Sequence, residues 1–333
     1  MPDTILPSSD WLAAPSDGRW NADVLAEAWA YAKTIDTSAV MVVEGGRIAA
    51  SFGDIERRFM CHSMRKSFLS ALYGIHVTEG RISRGSTLAD LGIDDKEGLS
   101  GREKGATVLD LLSARSGIYH PTVYESQWMR SIKELRHSHA PGTFWCYNNW
   151  DFNALGTIYE KLIGRSLFED FRDRIAKPIG MQDFRYDDER KDGEYAHGAE
   201  TVHPAYPFRM SSRDLARFGL LFLNEGRWGD RQVVPRRWVK ESTAPISEAG
   251  NAGAYGYMWW VARAGIHIPG VILPEGTYSA RGAGGHKMIV IPAHDIVLVH
   301  RVDTDVKGRE VKTHQFAPLL DLVLAARLGR GWQ

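Results

Sequence analysis

The sequence predicts an α+β fold in which a sheet-bearing unit is interrupted by a mostly helical one. Three observations carry this. Strand-like segments gather at residues 39–52 and again at 255–302, helical periodicities fill the stretch between them, and amphipathic helices stand near both ends. With 333 residues the chain has room for two such units. The expected division gives 1–81 and 251–333 to the sheet unit and 82–250 to the helical one, with a site in the cleft between them.

Each element has its own signal. After a Pro/Ser/Asp-rich lead-in, Ala22, Val24, Leu25, Ala28, Trp29 and Ala32 repeat at helical spacing and predict a first helix over 22–33. Ala39–Val43 and Ile48–Phe52, joined through Glu44-Gly45-Gly46-Arg47, predict a β-hairpin. From Ser63 to Gly80 the pattern is helical, with Met64, Phe68, Leu72 and Ile75 on the apolar side and Gly80 as terminator. Further helices are expected at 108–114, 152–163, 167–176 and 211–224, the last opening on a capping box of Ser211 and Asp214. Strands return at Tyr255–Ala262, Met288–Ile291 and Asp295–Val302. A final helix is expected at 318–328, with Pro318 in its first turn.

Composition removes whole classes of function. Apolar residues make up 44% and charged residues 25%, the usage of an ordinary globular protein, which excludes disordered, collagenous and coiled-coil chains. Forty-one basic residues balance forty-one acidic ones, so no electrostatic footprint for nucleic acid or an anionic membrane is present. The expected partner is a small molecule. Two cysteines, Cys61 and Cys146, exclude a disulfide framework and a four-cysteine metal site, and are expected to be reduced apolar fillers. His137-Ser138-His139 lacks an acidic or thiol set beside it, so no metal and no other cofactor is expected. The first ten residues lack a basic start followed by an apolar run, and no apolar stretch reaches about 18 residues, so a cytoplasmic protein with no membrane span is expected.

Three motifs can carry chemistry. Ser63-Met64-Arg65-Lys66 lies at a helix N-terminus, where i, i+3 spacing puts the hydroxyl and the amine on one face. A serine hydroxyl needs a base to become nucleophilic, and a lysine whose ammonium form is destabilised by burial can be that base. Tyr147-Asn148-Asn149 follows a Pro-Gly loop signal and offers a phenol to relay a proton and a carboxamide to orient the lysine or a substrate amide. Arg281-Gly282-Ala283-Gly284-Gly285-His286 leads into a strand, where small residues admit a substrate against the edge and a backbone N–H can hold an oxyanion. It precedes a strand and not a helix, so it is no phosphate-binding loop. No Gly-x-Ser-x-Gly elbow occurs, which disfavours a hydrolase of the α/β class. Trp128, Trp145, Trp150, Trp259 and Trp260 stand around the motifs, as an aromatic cleft lining or as core.

Ser63-x-x-Lys66, Leu111–Ile118, Tyr147-x-Asn149, Met210–Gly219 and Gly282-Ala283-Gly284-Gly285, in that order over residues 38–330, resemble the serine β-lactamase-like family. The branch it resembles is the class C group with its relatives, the D-alanyl-D-alanine peptidases, family VIII esterases and nylon-oligomer hydrolases. The resemblance implies an antiparallel sheet flanked by helices with an inserted helical domain. It also implies an acyl-enzyme on Ser63, Lys66 as its base and Tyr147 as proton relay. Asn149 would contact Lys66 and the substrate, while the backbone N–H groups of Ser63 and Gly285 would form the oxyanion hole, with Gly284 and His286 beside the substrate. The sequence departs from the family at one place: Gly282 stands where the third motif begins with a cation, leaving Arg281 or His286 to replace it. The function expected is hydrolysis of a small ester or amide. The alternatives are a catalytically silent binding or sensor protein, or a true β-lactamase or D-aminopeptidase.

Overall fold

The computed structural model describes residues 5–332, so the first four residues of the lead-in lie outside it. Helix α1 (Ala22–Ala32) precedes the hairpin β1 (Thr37–Glu44) and β2 (Arg47–Gly53). A short β3 (Phe59–Met60) passes through a 3-10 turn (His62–Met64) into α2 (Arg65–Thr78). The middle of the chain holds α3 (Gly101–Lys104), α4 (Val108–Leu112), α5 (Gln127–Ile132), α6 (Asn149–Ile163), α7 (Leu167–Phe171), β4 (Arg209–Met210), α8 (Ser212–Leu223), the hairpin β5 (Arg227–Trp228) and β6 (Arg231–Gln232), and α9 (Arg236–Ser242). The chain then returns as β7 (Ser247–Glu248), β8 (Ala254–Tyr255), β9 (Trp260–Val261), β10 (Tyr278–Gly282), β11 (His286–Ile291), β12 (Ile296–Val302) and α10 (Thr313–Leu328).

An eight-stranded sheet in the order β2-β1-β12-β11-β10-β9-β8-β7 organises the molecule, and its pairings are antiparallel. The first hairpin therefore docks on the last strand, so segments from near both ends of the sequence pair toward one edge of the sheet. Period-two alternation then builds two cores. Val40, Val42, Ile289, Ile291, Ile296 and Leu298 face Ala28, Ala32, Phe316, Leu320 and Val323 of α1 and α10. Met41, Val43, Met288, Val290, Val297 and Val299 face the other way and join a core that includes α2, α6 and α8. Gly219 of α8 permits that approach, because a Cβ there would lie 2.5 Å from Val297 Cγ1.

Residues 65–76 of α2 are all buried, not only its predicted apolar stripe. Its polar groups are satisfied inside: Ser67 and Ser70 donate to the carbonyls of Met258 and Tyr257 at 2.8 and 2.7 Å. Elsewhere the expectations shift in register. Helix α6 begins at Asn149 because Asn148, in extended conformation, accepts the Trp150 N–H and caps it. Tyr255–Ala262 folds as two short strands around a turn and not as one. Pro318 lies inside α10, which starts at Thr313, so its ring occupies a second-turn site and not the first. Strand β10 was not expected; its pairing with β9 and β11 makes a strand of a segment that reads locally as a glycine-rich loop. No helix among the described residues is long and apolar enough to cross a membrane.

Candidate active site

The pairing of β3 with β4 fixes the approach to Ser63. Cys61 N–H donates to the Phe208 carbonyl at 2.8 Å, and the chain then turns sharply through His62, whose φ of 48° lies in the left-handed region. A non-glycine residue there stores about 1 kcal/mol or more. Contacts to His62 offset it: its Nε2 lies 2.8 Å from Thr304 Oγ1 and its ring packs on that of His286. Ser63 follows in the 3-10 turn and lines an open cavity of about 450 Å³, shared by Arg65, Tyr124, Trp128, Tyr147, Asn149, Trp260, Arg281, Gly282 and Ala283.

Lys66 Nζ lies 2.8 Å from Ser63 Oγ and 2.5 Å from the Tyr147 hydroxyl. The first contact follows from helical spacing. The second crosses 81 residues of sequence and depends on α6 packing beside α2. The amine is held over the rings of Tyr147 and Phe152, 4.2 and 4.5 Å from their centroids. Burial, reinforced by the neighbouring Arg65 charge, holds its pKa well below the ordinary lysine range. Burial pushes the Tyr147 phenol up to about 12, while its hydrogen bond to Ser63 and the charges of Arg65 and Arg281 oppose the rise. The arrangement is an amine whose charged form burial disfavours, facing a hydroxyl, with a protonated phenol beside both. Such a set takes a proton from one oxygen and returns it to another.

The remaining predicted residues divide. Asn149 lines the cavity, but its Nδ2 donates to the Tyr124 carbonyl at 2.6 Å and not to anything at Lys66. Its Oδ1 is buried without a partner among the described residues. Gly284 and Gly285 are turned away from the cavity: the Gly284 carbonyl accepts from Val311 N–H, and a Cβ on Gly285 would lie 2.4 Å from the Val311 carbonyl oxygen. His286 is fully buried, its Nδ1 accepts from Arg301 Nε at 2.9 Å, and burial beside Arg301 keeps it uncharged. It therefore cannot replace the missing cation. The strand end that does meet the cavity is Gly282-Ala283. Gly282 is required by contact, since a Cβ would lie 2.6 Å from the Cys61 carbonyl oxygen.

Arg281 also lines the cavity, stacked over Trp260 with its carbon Cζ 4.9 Å from the ring centroid. Its Nη2 donates to the His267 carbonyl at 2.8 Å and its Nε to Ser279 Oγ at 2.9 Å. Burial lowers its pKa to about 9. The tryptophans split between roles: Trp128 and Trp260 line the cavity, whereas Trp150 and Trp259 are core. Cys61 and Cys146 are free and buried in separate surroundings, beside Arg301 and the Ile132 carbonyl respectively. His139 stacks on Phe144 with ring centroids 3.9 Å apart. No group of three or more metal-ligating side chains is gathered among the described residues.

Sequence reasoning named Trp128 but missed Tyr124 and Met129 beside it, because a six-residue helix, α5, leaves too short a periodicity to read. It also passed over Arg65 as a spacer within the first motif. Two successive cations in a helix otherwise rich in Phe, Leu, Ala and Ile were the available signal.

Sheet, inserted helices and a serine–lysine–tyrosine cluster at their junction define a protein of the serine β-lactamase-like class. A family model described as Beta-lactamase matches residues 22–317, and the chain belongs to that family. An uncharacterized protein of Alkalihalophilus pseudofirmus is 22% identical over 263 residues, 73% of each chain. Among solved structures, a β-lactamase from Mycobacterium bovis superposes with a TM-score of 0.64 at 18% identity, covering 92% of this chain and 98% of its own. An octameric penicillin-binding protein homologue from Pyrococcus abyssi gives 0.65 at 19%, covering 91% and 76%. EstCE1, a hydrolase with promiscuous acyltransferase activity, gives 0.64 at 16%, covering 92% and 98%. At these identities the likeness establishes the fold.

Proposed function

We propose that the protein is a serine hydrolase that cleaves a small ester or amide through an acyl-enzyme on Ser63. The observation that carries this is the pair of contacts from one buried amine, 2.8 Å to Ser63 Oγ and 2.5 Å to the Tyr147 hydroxyl, at the edge of an open cavity. Neutral Lys66 takes the Ser63 proton as Oγ bonds to the substrate carbonyl carbon. The developing oxyanion is held by the backbone N–H groups of Ser63 and Ala283, the latter replacing Gly285, which packs against Val311. Collapse breaks the carbonyl carbon's bond to the alkoxy oxygen or amide nitrogen, and that leaving group receives the proton through Tyr147. Water then attacks the acyl carbon, its proton passes to the same amine and phenol, and Ser63 Oγ leaves as a hydroxyl with the carboxylic acid released.

Asn149 lines the same cavity with an Oδ1 that has no partner among the described residues, which supports amides as well as esters. A silent binding protein is the competing reading. It is disfavoured by the cost of keeping a buried amine against a serine that does no chemistry. The test is mass spectrometry after exposure to an active-serine phosphonate and to p-nitrophenyl acetate. One adduct on the Ser63 peptide, absent in Ser63→Ala, is expected. Labelling that persists in Ser63→Ala, or none in the native protein, overturns the assignment. Nitrocefin turnover at a rate matching the esters moves the reading to a β-lactamase.

A further inference from the structure

Two residues of the third motif, Gly284 and His286, have no use in the cavity, and both meet Thr304, just past the end of β12. Gly284, at φ 79°, makes room for it: a Cβ there would lie 2.4 Å from Thr304 Cγ2. His286 Nε2 lies 3.5 Å from Thr304 Oγ1, and His62 Nε2 lies 2.8 Å from the same oxygen. Gly282 lets the two imidazoles come together, because a Cβ on it would lie 3.1 Å from the Cβ of His286 and 3.2 Å from that of His62. Their ring centroids stand 5.3 Å apart. One hydroxyl thus joins the third motif to the residue before Ser63.

The direction of these hydrogen bonds follows from Arg301. Its guanidinium is fully buried and can only donate, to the carbonyls of Phe59, Met60 and Met210 at 3.0, 3.1 and 2.9 Å, and from Nε to His286 Nδ1 at 2.9 Å. Burial, reinforced by the Arg301 charge, lowers His62 to about 4 and holds His286 well below the usual histidine range. At neutral pH each ring therefore carries one proton. His286 accepts at Nδ1, so its proton is on Nε2, and that nitrogen cannot accept from Thr304. The Thr304 hydroxyl then donates across the shorter contact to His62 Nε2, which puts the His62 proton on Nδ1.

We propose, on the acyl-enzyme reading above, that Thr304 and His286 are positioning residues for Ser63: bonds donated in the order Arg301, His286, Thr304, His62 hold the left-handed turn that presents the nucleophile. His62 carries φ 48° and is one peptide bond from Ser63, so a rotation that relaxed it would carry Oγ away from Lys66 Nζ, which it meets at 2.8 Å. The same guanidinium ties the β3 and β4 carbonyls. Strand and ring are therefore fixed from one point on either side of the turn.

The experiment compares Thr304→Val, which keeps the branched shape and removes the hydroxyl, with Thr304→Ser, which keeps the hydroxyl. Hydrolysis of p-nitrophenyl acetate is followed beside nitrogen NMR of ring-labelled histidine, with signals assigned from His62→Asn and His286→Asn. In the native protein the His62 proton is expected on Nδ1 and the His286 proton on Nε2. In Thr304→Val the His62 ring is expected to mix tautomers and kcat to fall about 10-fold with KM little changed, a part of the about 10²-fold that a 1 Å misplacement costs. Thr304→Ser is expected to restore both. A native His62 proton on Nε2, a native kcat in Thr304→Val, or a serine variant as slow as the valine one overturns the proposal. Where the native protein cleaves no ester, the hydrolase reading fails and the spectra alone decide: a His62 tautomer lost in Thr304→Val and kept in Thr304→Ser supports the held turn, and one indifferent to both overturns it.

Discussion

The molecule carries two cavities of similar scale, and chemistry, not size, separates them. The larger, about 640 Å³, lies among Glu44, Glu225, Lys240, Tyr278, Asp295 and Arg327. Most of the charge there is paired: Glu44 accepts from Arg327 Nε at 2.6 Å and from Trp20 Nε1 at 2.8 Å, while Glu225 pairs with Arg236 and Lys240. The smaller cavity, at Ser63, keeps a guanidinium with no ion pair and a carboxamide oxygen with no partner among the described residues, and an amine whose charged form burial disfavours. A folded protein tolerates such unpaired groups where a ligand completes them. Orphan polar atoms alone do not separate the two, since Asn224 Nδ2 at the larger cavity also lacks a partner among the described residues; the difference is the amine, hydroxyl and phenol that meet at the smaller one.

The sharpest test of that contrast removes the groups whose only visible use is chemistry. Lys66→Met is expected to lower kcat/KM for ethyl esters by about 10³-fold, and Tyr147→Phe by about 10²-fold, the range of general acid–base effects. Circular dichroism and thermal melts of both variants are expected to keep the native fold, since each replacement is apolar at a buried site. Near-native turnover in Lys66→Met would mean that the smaller cavity, too, is merely structural.

How much of this was readable beforehand follows from the range of the interactions. The Ser63–Lys66 contact lies within one helical turn, and β1 and β12 announce themselves by alternation, so local pattern sufficed for them. Tyr147 was singled out by its local Tyr-x-Asn motif as a phenol able to relay a proton, but its approach to Lys66 depends on how α6 packs beside α2, which no local pattern shows. The third motif misled because orientation was invisible. Antiparallel register sets Gly282 opposite His286, which leaves Gly282-Ala283 at the cavity and sends His286 inward to Arg301. Pro318 misled for a related reason: packing of α10 on the sheet extends the helix upstream of a residue that favours first turns. Arg65 was hidden within a motif whose spacing drew attention only to its ends.

The pH dependence sharpens the contrast by a smaller effect. Only the neutral amine of Lys66 accepts the serine proton, so kcat/KM is expected to rise with pH through the Lys66 titration, on a single acid limb. The opposing limb waits on Tyr147, whose phenol stays protonated up to about 12. Arg65 contributes a like charge that favours the neutral amine. Removing it in Arg65→Gln lets Lys66 hold its proton to higher pH, so the acid limb is expected to move upward, read from a kcat/KM profile on an uncharged ester. A limb that stays in place or moves down would show that Arg65 and Lys66 do not share a field.

The smallest effect belongs to the larger cavity. Glu44→Gln there weakens the contact from Arg327 but leaves an oxygen for Trp20, so about 1 kcal/mol of stability is expected to be lost, a Tm change of about 2 °C. Arg327 is partly open to water, which limits the penalty of leaving it unpaired. Because this carboxylate serves the fold and not a ligand, kcat/KM on every ester is expected to match the native protein. A selective loss of activity with an unchanged melting curve would break the comparison, since it would make the charge-balanced cavity a functional site coupled to Ser63.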